Sequence, residues 1–314
     1  MQVDEAKRAL AGAMISVATP VTSAFDLDLE TLRRNLEFML AGGADRGSAV
    51  FLVAAAGGEF PMLSLEQRKQ VIATSCEAVA GRVSVVASLQ TNSTREAIEL
   101  ARFCKDAGVT VGQLSSPFYY TPTPADIQRF FSDVASQGGL PIMVYNNWWN
   151  TLNMNVDTVT RLAEIDGIVA LKWSAPAQSQ YREGYQRLRD RLAIIDNASD
   201  HVTASLLGAD GFITHISNFW PAYPRRLWSL MQAREFEALR DALAFKWEWR
   251  RWTARVTEYT EGEGPFIKAA MDEVGLRSGD PIPPGLPVPQ DLRSELRDLF
   301  ARYNVPRADA VSVG

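Results

Sequence analysis

The stretch "GIVALKW" (residues 167–173) decides how the rest of the chain is read. Ile168, Val169, Ala170, Leu171 and Trp173 form an apolar, partly β-branched run of strand length, and Lys172 sits among them. An ammonium group in such a setting costs several kcal/mol unless it is paired or loses its proton. One way out is for the lysine stem to run along the apolar surface toward a carboxylate at a rim. The other is deprotonation, and a neutral lysine is a nucleophile toward ketones.

Seven more runs have the same character: 14–20, 48–56, 83–89, 109–117, 141–146, 192–198 and 211–217. Amphipathic segments separate them, among them 29–40, 93–108 and 124–138, with apolar residues recurring at three- and four-residue steps. Ser64, Ser93 and Asp126 stand where helix caps are expected, and "SLEQ" (64–67) reads as a capping box. Strands that are apolar almost throughout, with helices between them, argue for parallel strands covered on both faces. Eight such units predict a closed (β/α)8 barrel. The alternative, an open doubly wound sheet, lacks its Gly-x-Gly-x-x-Gly turn after the first strand. Beyond the eighth run, 219–232, 234–257, 264–275 and 290–303 read as helices, with a Pro-rich link at 279–289. The expected division is a barrel over 1–232, a helical appendix over 233–304 and a flexible tail over 305–314.

The 314 residues are 46% hydrophobic and 22% charged, with a net charge of −5, so no basic surface for nucleic acid or an anionic membrane is implied. No apolar run reaches the about 18 residues of a membrane span. The N-terminus carries acids and no apolar core, which argues against a secretory signal and for a cytoplasmic protein. Cys76 and Cys104, both within predicted helices, read as free core thiols. His201 and His215 have no partner at metal-ligand spacing, so no metal is expected.

Barrel chemistry gathers at the C-terminal ends of the strands. Those ends carry Ala56, Gly57, Gly58 and Glu59, then Phe118, Tyr119 and Tyr120, then Tyr145 and Asn146, Lys172, Asn197, and Thr214 with His215. A lysine among tyrosines, without a metal-ligand cluster, describes imine chemistry: the amine condenses with a keto group and a phenol moves the protons.

The order Gly-Gly-Glu, Pro-Phe-Tyr-Tyr, Tyr-Asn and Gly-Ile-Val-x-x-Lys, with "ATPVT" (18–22), "STREAIELARFCKDAGV" (93–109) and "GADGFITHISN" (208–218), resembles the dihydrodipicolinate synthase / N-acetylneuraminate lyase family of class I aldolases. The resemblance spans most of residues 12–275. It implies a barrel with a C-terminal helical appendix, a homotetramer built from tight dimers, and substrates that are pyruvate or other 2-keto acids. No cofactor is implied, because the lysine imine is itself the electron sink. By the same resemblance Lys172 forms the Schiff base, Tyr145 is the catalytic phenol, and Tyr119 reaches a neighbouring subunit's site. Gly58 and Glu59 end the family's Gly-Thr-Thr-Gly-Glu turn, and Ile213 lines the keto-acid pocket.

Departures from the pattern matter equally. Ala56 and Gly57 replace two hydroxyl residues that bind the keto-acid carboxylate and relay protons, leaving the Gly57 and Gly58 amides as its expected holders and water or His215 as the substitute relay. Asn150 stands where the synthases place an arginine for the second substrate, so dihydrodipicolinate synthesis is not expected. Asp200 is retained relative to the sialic-acid lyases, whereas His201 and His215 replace an acid and a serine. His201 either contacts substrate or simply opens the next helix. Trp148 and Trp149 either pack a loop or interface, or form an aromatic second-substrate pocket for something flatter or less hydroxylated than a sugar. The expectation is therefore an aldolase-type lyase acting on a 2-keto acid and an aldehyde. A Schiff-base dehydratase or deaminase, and a keto-acid-binding barrel without turnover, are the alternatives.

Overall fold

The structure, a computed structural model, describes residues 1–310. Its eight strands are β1 (Gly12–Ser16), β2 (Ala49–Val53), β3 (Ser84–Ser88), β4 (Val111–Ser115), β5 (Ile142–Tyr145), β6 (Ile168–Trp173), β7 (Ala193–Asp196) and β8 (Gly211–Thr214). All pair in parallel with their chain neighbours, and β8 returns to β1 to close the barrel, as the alternating pattern predicts. Most strands are shorter than the apolar runs that announce them. The ladder stops where the chain turns outward into the loops of the barrel mouth, and the apolar character carries on a few residues past it. At β2 the end is abrupt, because Ala54 takes a left-handed φ of 47°.

The two-residue side-chain period sorts each strand into an inner and an outer face. Met14, Val50, Leu52, Val86, Val111, Met143, Ala170 and Ile195 fill the barrel interior. Ile15, Phe51, Val53, Val85, Val144, Leu171 and Trp173 pack outward under the helices. Between β5 and β6 the register shifts by one residue, from Ile142 opposite Ile168 to Met143 opposite Ala170. A one-residue slip exchanges the faces of everything that follows. Here it leaves Ile168 outside, turns Ala170 and Lys172 inward, and sets Lys172 directly beside Tyr145.

The surrounding helices form as their amphipathic pattern requires. Thr94–Asp106 buries Ala97, Leu100, Ala101 and Cys104, one stripe at helical spacing. Ser93 caps this helix, and Ser64 with Gln67 forms the expected capping box on Leu65–Val79. Asp126 is not a cap: Thr123 is, and Asp126 reciprocates as the third residue of the box. Both cysteines are free, and burial pushes Cys76 to about 11 and Cys104 to about 12, so neither is a ready thiolate.

Two features go beyond the sequence reading. A short helix, Val3–Ala9, packs on β6 and β7, and its Ala6, with Leu10 just after it, enters the interior cluster at the bottom of the barrel. The segment 234–257 is two helices rather than one, Phe236–Ala242 and Ala244–Tyr259, hinged at Leu243. No proline or glycine marks that joint, so periodicity alone does not reveal it. Helix Ala222–Ala233 packs on β1, and the later helices share an aromatic core of Phe219, Phe245, Trp249, Trp252, Phe266 and Phe300. Residues 308–310 form one further turn, whereas 311–314, the end of the expected tail, lie outside the described residues.

Candidate active site

Two cavities meet at the barrel mouth, about 730 Å³ and about 510 Å³. Five residues line both: Tyr145, Trp149, Lys172, Glu263 and Phe266. Lys172 and Tyr145 come from the inner faces of adjacent strands, and the Lys172 Nζ lies 4.0 Å from the Tyr145 ring centre. Among the described residues this Nζ makes no hydrogen bond or ion pair. Burial lowers its pKa from 10.5 to about 8, against a pull upward from the Glu263 carboxylate. At that value roughly a tenth of the amine is neutral at pH 7, against roughly one part in three thousand for a free lysine. The rim-pairing alternative for Lys172 is therefore not realised. Burial, with Glu263 beside it, pushes the Tyr145 phenol well above its usual range against a smaller downward pull from Asn197, so it stays a neutral O–H.

Of the Ala56–Gly57–Gly58 turn only Ala56 lines the first cavity, while Gly57 and Gly58 are buried behind it and line neither cavity. The Gly57 N–H donates to Ser16 Oγ (3.0 Å), and the Gly58 N–H donates to the Ala55 carbonyl (3.0 Å). Both amides assigned to a carboxylate are thus already engaged, because the turn closes as a 3₁₀ turn on itself. Ser16 also explains the glycine: a Cβ on residue 57 would stand 2.5 Å from Ser16 Oγ. The hydroxyl missing at position 57 is in effect supplied from β1. The Ala56 N–H, by contrast, makes no hydrogen bond among the described residues.

Glu59 braces the turn, as its loop position suggests. Its Oε1 accepts from the Ile282 N–H (2.8 Å) and its Oε2 is 2.6 Å from the Lys268 Nζ, both side chains being buried. Lys268 further donates to the Asp280 carbonyl (2.9 Å), so the pair ties the barrel turn to helix Gly264–Val274 and the loop beyond it.

On the second side, Ile213, His215, Asn197, Trp148 and Trp149 all line the smaller cavity. Trp148 and Trp149 meet edge to face (5.5 Å), and Trp149 meets Tyr145 in the same way (6.3 Å). His201 resolves into the structural alternative. It opens helix His201–Leu207, fully buried between Asp196 (Nδ1 to Oδ2, 3.3 Å) and Lys246 (Nε2 to Nζ, 2.9 Å). Burial, helped by Lys246, lowers its pKa to about 4, which leaves a neutral ring accepting from the Lys246 amine and donating to the carboxylate. Asp200 caps the same helix. Tyr119 is not brought to this chain's own site: it is 88% exposed on the loop after β4, with φ of 83°.

Two residues escaped the sequence reading. Ser16 ends an ordinary apolar strand. Glu263 precedes the helix Gly264–Val274 and looks like a cap, yet its side chain caps nothing. Instead it enters the site, with Oε2 3.0 Å from His215 Nε2. Burial tends to raise its pKa, but His215, Lys172 and Ser16 outweigh that and hold it below the usual glutamate value, ionised. Its only sequence signal is an acid before Gly-Pro, and that does not distinguish a cap from a site residue.

A buried lysine near the end of the sixth strand of a parallel eight-stranded barrel marks the site, and the family match places the fold among lyases. Residues 9–302 match the dihydrodipicolinate synthetase family, and the chain belongs to that family. A 4-hydroxy-tetrahydrodipicolinate synthase of Syntrophobacter fumaroxidans is 35% identical over 232 residues, 73% of this chain and 78% of the relative. Dihydrodipicolinate synthase of Aquifex aeolicus superposes with a TM-score of 0.84 at 26% identity, covering 95% of this chain and 99% of its own. The enzyme of Acinetobacter baumannii, solved with pyruvate, gives 0.83 at 25% identity, covering 94% and 99%.

Proposed function

We propose that this protein is a Schiff-base lyase in which Lys172 condenses with pyruvate or a related 2-keto acid and the resulting enamine is joined to, or released from, an aldehyde. The observation that carries this is the unpaired, partly neutral Lys172 amine beside a neutral Tyr145 phenol at the junction of two cavities. Tyr145 donates to the carbinolamine oxygen as water leaves. The keto-acid carboxylate faces the free Ala56 N–H and Ser16 Oγ, so the binding first assigned to Gly57 and Gly58 moves one residue back and across to β1. The pyruvate complex of the Acinetobacter relative supports the choice of keto acid. Lysine imine formation needs no metal, because the imine nitrogen is itself the electron sink.

The second substrate is not the one used in dihydrodipicolinate synthesis. Asn150 on the cavity wall offers no fixed positive charge, and Trp148 and Trp149 present flat apolar surface. Tyr119 acts across a tight dimer contact within a tetramer: its exposure and its positive φ, costly for a bulky residue, support a role outside its own chain.

Product analysis tests this reading. With pyruvate present, planar aromatic aldehydes are expected to be consumed in aldol addition and polyhydroxylated aldehydes are not. Consumption of the polyhydroxylated set alone, or loss of water or ammonia from a substrate without an aldehyde product, contradicts it. Tyr145→Phe is expected to slow turnover by about 10²–10⁴-fold, the usual worth of a positioned proton donor, as read from steady-state kcat.

A further inference from the structure

We infer that Glu263, entering the barrel mouth from the C-terminal helical region, is the base that removes the C3 proton of the lysine-bound keto acid, with His215 as its proton partner. The inference rests on the Schiff-base reading above and adds to it the group that converts imine to enamine.

Position is the first argument. Glu263 is the one acid among the five residues that line both cavities, so it faces the point where keto acid and aldehyde must meet. The side chain is 34% exposed, and that exposure is to the cavities. Second, it is uncommitted to structure. At the N-terminal boundary of helix Gly264–Val274 an acid ordinarily caps, but this one leaves its helix uncapped and turns into the site. Third, its neighbours form a path for the proton. His215 Nε2 lies 3.0 Å away yet off a good hydrogen-bonding line, so the contact is free to tighten when substrate binds. Ser16, whose Oγ receives the Gly57 N–H, is a further neighbour that holds the carboxylate ionised. Ser16 and Ala56 line the larger cavity and His215 the smaller, with Glu263 between them on the wall of both. Finally, Tyr145 and Glu263 are driven apart in acidity, the phenol upward and the carboxylate downward. Such divergence assigns the acid and the base.

The step balances without any added reactant. Glu263 takes the proton from C3 of the Lys172 iminium. The C–H electron pair becomes the C2–C3 double bond, and the C–N π pair returns to nitrogen as a neutral enamine. A carboxylate and a cation become a carboxylic acid and a neutral species, so the step lowers the charge held at the buried end of the barrel mouth. In the cleavage direction the same carboxylic acid returns the proton to C3.

The test needs no knowledge of the aldehyde. Exchange of pyruvate methyl protons for deuterium in D₂O reports enamine formation, and a borohydride-fixed pyruvyl mass on the protein reports imine formation. Glu263→Gln is expected to lower exchange by about 10²–10⁴-fold while the fixed mass still appears, which also shows that the variant is folded. In Glu263→Ala, added formate is expected to restore part of the exchange, a rescue that a purely structural role does not allow. Exchange at the wild-type rate in Glu263→Gln overturns the assignment and leaves the imine reading standing. Absence of the fixed mass in the wild-type protein overturns both.

Discussion

Lys172→Met is expected to abolish pyruvate proton exchange and turnover, by at least about 10⁴-fold as for loss of a covalent nucleophile, and at the same time to make the protein more stable. The two effects have one cause. An amine whose pKa falls from 10.5 to about 8 on folding is more easily protonated in the unfolded chain. The unfolded state therefore binds more protons at any pH between the two values, and stability from this group rises with pH across that window. Below about pH 8 the penalty is fully present, about 3 kcal/mol at neutral pH. Methionine keeps the length and removes the charge, so a gain of about 1–3 kcal/mol is expected once Glu263 has lost one of its neighbouring cations. Denaturant titration at pH 7 measures it. A variant that is inactive but less stable than the wild type means that Lys172 is a paired structural charge.

The largest loss of stability is expected at Lys268→Met. Glu59 and Lys268 are both buried and 2.6 Å apart, so removing the ammonium leaves a carboxylate in the interior with only the Ile282 N–H to serve it. Breaking one partner of a buried pair costs about 3–5 kcal/mol, a large share of the about 5–15 kcal/mol that holds a domain folded. The urea midpoint should fall with little change in slope. Glu59→Gln combined with Lys268→Met should recover much of the loss, since no buried charge then remains. The variant should also weaken keto-acid binding, because this pair fixes the Ala56–Gly58 turn against the C-terminal helices. An unchanged midpoint in the single variant contradicts the assignment.

The barrel was readable from sequence because its signal is redundant: eight apolar runs with helical patterns between them leave few topologies. Lys172 and Tyr145 were readable for a local reason, each being polar at the end of such a run. The β5–β6 register shift that aims Lys172 inward was not, since an extra residue in an apolar run leaves its composition unchanged. Glycine turns expose amides, which is why Gly57 and Gly58 read as holders of the carboxylate. The Gly57 amide points to Ser16, 41 positions earlier in the chain, and the Gly58 amide closes back on the Ala55 carbonyl. Glu263 was hidden for a similar reason. An acid before a helix is a common cap, and only the folding of the C-terminal helices over the barrel mouth makes it a neighbour of His215. His201 shows the converse, a histidine near the mouth that the buried Asp196 and Lys246 hold within the scaffold.

The most direct test is to incubate the protein with pyruvate, reduce with borohydride, digest it and sequence the modified peptide by mass spectrometry. The expected result is a single reduced pyruvyl adduct on Lys172, absent from Lys172→Met and forming faster as pH rises toward about 8, where the amine loses its proton. No adduct with pyruvate or any other 2-keto acid, or an adduct on another lysine such as Lys246 that persists in Lys172→Met, contradicts Schiff-base catalysis at Lys172.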